Sequence, residues 1–129
     1  MIADQLEKIQ FMMAHGRYRE AESTCRQVLA VEPENSQVMG LLALTELNQG
    51  KQNEALEHAK LAVTFAPDQP FPHYVLTLLQ CEIEDWKSAL AAIENAIQLD
   101  AANADYFALK AMIYLRLRTW KPALDAANN

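Results

Sequence analysis

Glycine is scarce in this chain, with only 3 among its 129 residues. Long flexible linkers, which are rich in glycine and serine, are therefore not expected. The sequence also lacks the motifs GxxxxGK, GxGxxG and GxSxG, which cradle phosphates or expose an acyl-transfer serine. We accordingly expect a chain that is not an enzyme and that holds no cofactor.

Cysteine is equally rare, and the 2 cysteines, Cys25 and Cys81, lie far apart and form no CxxC motif. His15, His58 and His73 show no HExxH motif and no clustering with cysteine, whereas a zinc site needs about four converging ligands. We therefore expect no metal site. Two unpaired thiols suit a reducing compartment, so the predicted location is the cytoplasm.

Basic residues are outnumbered, because 11 Lys and Arg stand against 17 Asp and Glu and leave a net charge of -6. Nucleic acid and anionic membrane surfaces both attract clustered basic residues, so neither is expected as a partner. No run approaches the roughly 20 apolar residues of a membrane span. The first residues include Asp4, Glu7 and Lys8, which interrupt any signal-peptide core.

A period of 34 residues organises what is present. Four alanines recur at this spacing: Ala21, Ala55, Ala89 and Ala123. Pro33 and Pro67 share it. Hydrophobic residues make up 51% of the chain, which is a globular composition. A fixed period of this length indicates stacked helix–turn–helix units, which we number from residues 2–35, 36–69, 70–103 and 104–129, the last being incomplete.

Each unit is predicted to hold two antiparallel helices joined by a turn. Gly16 and Gly50 stand at the first two turns, because glycine tolerates the left-handed backbone that ends helices. Glu84 stands at the third turn, for which we therefore expect a tighter corner or an ordinary right-handed one. The fourth turn is predicted near Arg118 and Thr119.

Helix starts have candidate caps as well. Asn35 or Ser36 can accept an orphan amide hydrogen at the start of the second unit. Asp68 is predicted to cap the helix that Pro70 opens, and Asn103 is predicted to cap the first helix of the last unit.

The pattern of small and large residues resembles the tetratricopeptide repeat family. The eighth place of the units holds Ile9, Ala43, Thr77 and Ala111. The twentieth place holds the four alanines, and the twenty-seventh holds Val28, Ala62 and Ala96. An aromatic residue follows the turn at Tyr18, Trp86 and Trp120, although Gln52 departs from this. The resemblance implies an all-α, right-handed α-solenoid of antiparallel helix pairs with about three and a half repeats.

The resemblance also implies a single array over residues 1–129, which we expect to be part of a longer one, and a concave groove lined by the first helix of each unit. The groove residues that follow from it are Leu6, Met13, Leu44, Leu47, Asn48, Phe71, Tyr74, Leu78, Cys81, Met112, Leu115 and Arg116. The carboxylate-clamp subclass of the family holds an acidic tail with Lys, Arg and Asn. Only Asn48 and Arg116 offer such groups here, so the expected ligand is an apolar peptide or helix.

The predicted function is a non-enzymatic scaffold or adaptor for protein–protein interaction. Two alternatives remain open: a secretion-type chaperone for an apolar client segment, and a helical appendage of a larger enzyme or membrane protein. The last unit resembles repeats of longer bacterial arrays.

Self-association is a separate hypothesis. The incomplete fourth unit carries large apolar residues that need cover: Tyr114, Leu117, Trp120 and Leu124. Burying each is worth roughly 1.5–3 kcal/mol, so two copies could pair through the C-terminal half-repeat.

Overall fold

The computed structural model describes the backbone of residues 2–128 and the side chains of residues 3–118. This part of the chain forms seven α-helices and no strand. The helices are α1 (Ile2–Ala14), α2 (Tyr18–Val31), α3 (Ser36–Asn48), α4 (Gln52–Phe65), α5 (Pro70–Glu82), α6 (Trp86–Leu99) and α7 (Ala104–Asn128). Equivalent helices begin 34 residues apart, so the predicted all-α repeat architecture is confirmed. None of the described helices is both long and apolar enough to cross a bilayer.

The helices pack in two layers. Each helix contacts the next one along the chain, and α3 also contacts α1 and α5 directly. No two even-numbered helices contact each other to a comparable extent within the described residues. Because neighbours lie closest on the inside of a curved stack, the odd-numbered helices form the inner layer, and we call their solvent-facing surface the inner face.

Small side chains sit where the layers cross. Ala21, Ala55 and Ala89 have no exposed surface, and Cys25 is equally buried. A small residue at a crossing lets two helix backbones approach while larger residues fill the adjacent space. Cys25 therefore serves packing. Ala123 lies outside the residues whose side chains are described.

The three turns within helix pairs share one geometry. Gly16, Gly50 and Glu84 all have positive φ, at 73°, 79° and 61°. At each turn an amide bonds to a carbonyl five residues earlier, at 2.8 Å for Arg17 to Met12, 2.9 Å for Lys51 to Glu46 and 2.9 Å for Asp85 to Gln80. This is the bond of the Schellman motif, which requires a left-handed residue whatever its type. The expectation of a right-handed corner at Glu84 is therefore wrong.

Two of the predicted caps are confirmed. The Asn35 side chain accepts the Val38 amide at 3.0 Å, which decides between Asn35 and Ser36. Asn103 Oδ1 accepts the amides of Asp105 and Tyr106 at 2.9 and 3.3 Å. Each cap satisfies donors that the first turn of a helix leaves without partners.

The predicted cap at Asp68 is wrong. The N-cap of α5 is Gln69, whose side chain makes no capping hydrogen bond. Pro70 occupies the first helical position and has no amide hydrogen, so this helix has one fewer donor to satisfy.

The predicted turn near Arg118 and Thr119 is also wrong, because α7 continues for 25 residues where α1, α3 and α5 have 13. Arg118 stands at the position of the turn glycines, and arginine is a strong helix former. The predicted contacts of Trp120 and Leu124 lie outside the described side chains.

Candidate functional site

The twelve predicted groove residues all lie on odd-numbered helices, and each keeps part of its surface exposed. Those packed half-buried against the first two core clusters are Leu6, Met13, Leu44, Leu47 and Phe71. Those packed against the third cluster are Tyr74, Cys81 and Met112. Leu78 is half-buried, and Asn48, Leu115 and Arg116 are exposed. Ten of the twelve are apolar side chains or cysteine. That they form one groove and bind a ligand stays a prediction.

A close approach between α3 and α5 shapes the middle of this surface. Gly40 is buried, and a Cβ added to it would lie 2.8 Å from Phe71 Cε2 and 3.3 Å from Val75 Cγ2. The Phe71 ring therefore lies directly on the backbone of α3. The absence of a side chain at Gly40 lets the two inner helices approach here.

The polar groups of the surface already have partners. Asn48 Nδ2 donates to the Leu44 carbonyl at 2.8 Å. The Arg116 guanidinium lies 5.7 Å from the centroid of the Trp86 ring, within the range of a cation–π contact. Both groups that could hold a carboxylate are therefore engaged within the chain.

The thiol of Cys81 is not activated. Burial raises its pKa to about 11, and the charge of Glu82 acts in the same direction. The thiolate, which is the nucleophilic form, is thus disfavoured at neutral pH. Burial likewise raises the pKa of Cys25 to about 12. Neither cysteine has the environment of a catalytic nucleophile.

A charge cluster around the buried Glu46 lies between α2, α3 and α4, and the sequence analysis missed it. Glu46 has no exposed surface. Its carboxylate lies 2.5 Å from His58 Nδ1 and 3.5 Å from Arg26 Nη2. Burial raises the pKa of Glu46, although the hydrogen bond and charge of His58 and the charge of Arg26 oppose the rise. The signal that could have revealed the cluster was Glu46 itself, the single acidic residue in the apolar run of α3.

Glu22 extends the cluster to the surface. It accepts hydrogen bonds from Gln49 at 2.7 Å, Lys51 at 3.0 Å and Arg26 at 3.1 Å. Burial by itself would raise the pKa of Glu22, but these three hydrogen bonds outweigh it and lower the pKa to about 2. The cluster ties α2, α3 and the turn before α4 together.

A polar cleft of about 700 Å³ opens beside the cluster, lined by Arg19, Glu22, Ser23, Arg26, Gln27, Ala30, Gln49 and Lys51. Arg26 and Lys51 both pair with Glu22. Two cations of the cleft are therefore already paired with a carboxylate of the same chain. We assign the charge cluster a structural role. Among the described residues no group of three or more His, Cys, Asp or Glu is placed to hold a metal ion.

The next unit lacks this arrangement. Gln80 occupies the place of Glu46, and Ala92 that of His58. The Gln80 Oε1 atom is buried and has no hydrogen-bond partner among the described residues. The charge cluster thus occurs where the first and second units meet and is not repeated in the third unit.

Part of the chain matches a known family. Residues 13–70 match the family model described as tetratricopeptide repeat. A comparison with curated proteins finds no significant match. The tetratricopeptide repeat predicted from the sequence is thus confirmed for residues 13–70.

Solved structures resemble nearly the whole chain. The first TPR of Spaghetti (RPAP3) bound to the HSP90 peptide SRMEEVD has 17% identity and a TM-score of 0.80, over 90% of this chain and 92% of that one. The first TPR domain of human RPAP3 has 17% identity and a TM-score of 0.85, over 95% and 96%. The Sgt2 TPR domain from Aspergillus fumigatus has 24% identity and a TM-score of 0.77, over 98% and 80%. These likenesses show the fold, a right-handed α-solenoid of antiparallel helix pairs.

Proposed function

We propose that this array of tetratricopeptide repeats is a non-enzymatic scaffold or adaptor that binds an apolar helical segment of another protein on its inner face. The observation that carries the proposal is the composition of that face. Of its twelve predicted contact residues, two are polar, Asn48 and Arg116, and the other ten are aliphatic or aromatic side chains or cysteine.

The chemistry of the face argues for an apolar ligand. A structural neighbour is bound to the peptide SRMEEVD, whose acidic end needs cations or amide donors. Here the Asn48 amide donates to its own helix and Arg116 stacks on Trp86. A carboxylate on this face would have to compete with both internal contacts.

The shape of the face suits a helix. The three complete inner helices each have 13 residues, and an amphipathic helix can lay its apolar stripe in the groove that such helices form. Met13 and Met112 keep part of their surface exposed, and the unbranched methionine side chain adapts to varied partner shapes.

The test uses a labelled amphipathic peptide of leucine, alanine and glutamine, with fluorescence anisotropy as the measurement. The double variant Leu44→Glu, Leu78→Glu places two charges on the inner face, and we expect it to weaken binding by about tenfold or more. The matched control is Leu61→Glu with Leu99→Glu. Leu61 and Leu99 are 41% and 43% exposed on α4 and α6 of the outer layer.

Circular dichroism establishes that each variant is folded. The proposal is overturned if the folded inner-face variant binds like the unmodified chain, or if the outer-layer control loses as much affinity. Tighter binding of the acidic peptide SRMEEVD than of the apolar peptide would also contradict it.

A further inference from the structure

One stripe of α7 is uncovered. Phe107, Ala111 and Tyr114 follow one another at helical spacing, and all three are exposed, Phe107 to 47% and Tyr114 to 50%. They occupy the fourth, eighth and eleventh places of the fourth unit. We call this set the α7 stripe. It includes none of the predicted groove residues of α7, although Leu115 follows Ala111 by one helical turn.

The same three places are covered in the second and third units. Met39, Ala43 and Glu46 are buried in α3, and in α5 His73 and Thr77 are buried while Gln80 is half-buried. In the second unit the covering element is α4, since Ala43 packs with Ala55 and Ala59 and Glu46 meets His58. The α7 stripe is therefore the face on which the second helix of a unit normally lies.

The sequence contains such a second helix. Residues 120–124 read Trp-Lys-Pro-Ala-Leu, and residues 86–90, which begin α6, read Trp-Lys-Ser-Ala-Leu. The two segments lie 34 residues apart and agree at four of five positions. Because α7 runs unbroken from Ala104 to Asn128, the later segment continues in line with the α7 stripe and cannot fold back on it.

The other end of the array offers no match for an apolar stripe. Asp4, Glu7 and Lys8 are exposed on α1, next to Phe11. Stacking the α7 stripe on this end would bury charged groups without partners, which is costly. Two C-terminal ends, in contrast, each carry both an open stripe and the segment that fits one.

We infer that two copies of this chain pair through their C-terminal ends, with residues 119–128 of each copy lying antiparallel on the α7 stripe of the other. Such an exchange of identical elements is a low-cost route to a closed two-fold dimer. By the 34-residue register, the neighbours equivalent to Glu46 and His58 are Tyr114 of one copy and the partner's Ala126.

Sedimentation equilibrium of the full chain tests the pairing. We expect a dimer that Tyr114→Glu dissociates, with its dissociation constant raised about tenfold or more. The matched control is Phe11→Ser, which alters an aromatic side chain that is 56% exposed at the opposite end and should leave the dimer intact. A monomer at the highest soluble concentration overturns the inference, as does equal dissociation by both variants.

Cysteine cross-linking distinguishes exchange from folding back. Chains carrying Tyr114→Cys and Ala126→Cys are mixed and oxidised, with the unmodified chain as background for Cys25 and Cys81. We expect a disulfide-linked dimer in the mixture and in the doubly substituted chain. If a non-reducing gel instead shows a disulfide within one doubly substituted chain, the segment covers the α7 of its own chain. That result overturns the inferred exchange between copies.

A glycine at the missing turn provides a second variant. In Arg118→Gly the helix loses intrinsic propensity, and glycine adopts the left-handed turn without the steric cost that arginine meets. The hairpin should therefore gain at least about tenfold over the continuous helix, and the dimer should convert to a monomer. A dimer of unchanged affinity contradicts the exchange.

Discussion

The exposed helix faces at the two ends of the array carry opposite kinds of side chain. At the N-terminal end, the helix face that no preceding unit covers carries Asp4, Glu7 and Lys8, all exposed. At the C-terminal end, the face that no following helix covers carries Phe107, Ala111 and Tyr114. A stacked repeat needs a solvated outer face where the stack ends. The exposed face of α1 is charged and suits solvent, whereas the exposed stripe of α7 is apolar.

The largest expected effect comes from one substitution made at two equivalent alanines. Ala43 has no exposed surface, whereas Ala111, at the same place of the last unit, is exposed. Ala43→Leu should lower the free energy of unfolding by about 1–3 kcal/mol because it overpacks the interface of α3 and α4. Ala111→Leu should leave it nearly unchanged in the monomeric chain.

Urea denaturation measures both variants, and the Tyr114→Glu background keeps the chain monomeric. Equal destabilisation at the two positions would mean that a helix of the same chain already covers α7.

The turns give a smaller effect. Glu84 has φ 61° and Gly50 has φ 79°, and a left-handed conformation costs a non-glycine residue roughly 1–2 kcal/mol. Glu84→Gly should therefore raise the free energy of unfolding by about 1 kcal/mol. Gly50→Ala is the reverse control, since a Cβ at Gly50 meets no atom within 4 Å and any loss is due to the backbone.

Thermal or urea unfolding decides this prediction. A stability gain in Glu84→Gly with no loss in Gly50→Ala would show that side-chain effects outweigh backbone strain at these turns.

The smallest effect concerns pH and compares Glu46, in the covered interior, with its neighbour Glu22. The pKa of Glu22 falls from 4.5 to about 2 on folding, so it stabilises the fold above pH 4.5, and that contribution is lost as pH falls towards 2. Burial raises the pKa of Glu46, so its contribution runs the other way and stability falls as pH rises above 4.5.

Urea midpoints across a pH series separate the two carboxylates. Glu22→Gln should flatten the stability profile between pH 2 and 4.5, and Glu46→Gln should flatten it above 4.5. If Glu46→Gln instead steepens the decline of stability above pH 4.5, the pairing of Glu46 with His58 and Arg26 outweighs the effect of burial on its pKa.

Local signals in the sequence predicted much of the fold. The 34-residue alanine spacing located the first three helix pairs, since a small residue must stand wherever two helices cross closely. It failed in the fourth unit, where α7 runs through the predicted turn. Asn35 and Asn103 act as caps because a cap depends on the few residues around it. Glu84 was misjudged for the opposite reason: its own preference is right-handed, and packing between α5 and α6 imposes the left-handed turn.

In the candidate site, too, local sequence signals predicted some features, and contacts between helices decided the others. Helical spacing and the family resemblance were enough to select twelve residues that all keep exposed surface on the inner helices. The cluster of Glu46, Arg26 and His58 could not be predicted, because its members lie on three different helices. The contact of Gly40 with Phe71 likewise depends on how closely α3 approaches α5.

The sequence by itself determined the first six helices and their 34-residue period, because each depends on residue type at short range or at a fixed repeat. The tertiary structure alone decided which faces are covered, because burial depends on which helix lies against which. Phe107, Ala111 and Tyr114 hold places that other units bury, and they are exposed because α7 continues straight through the residue where its predecessors turn.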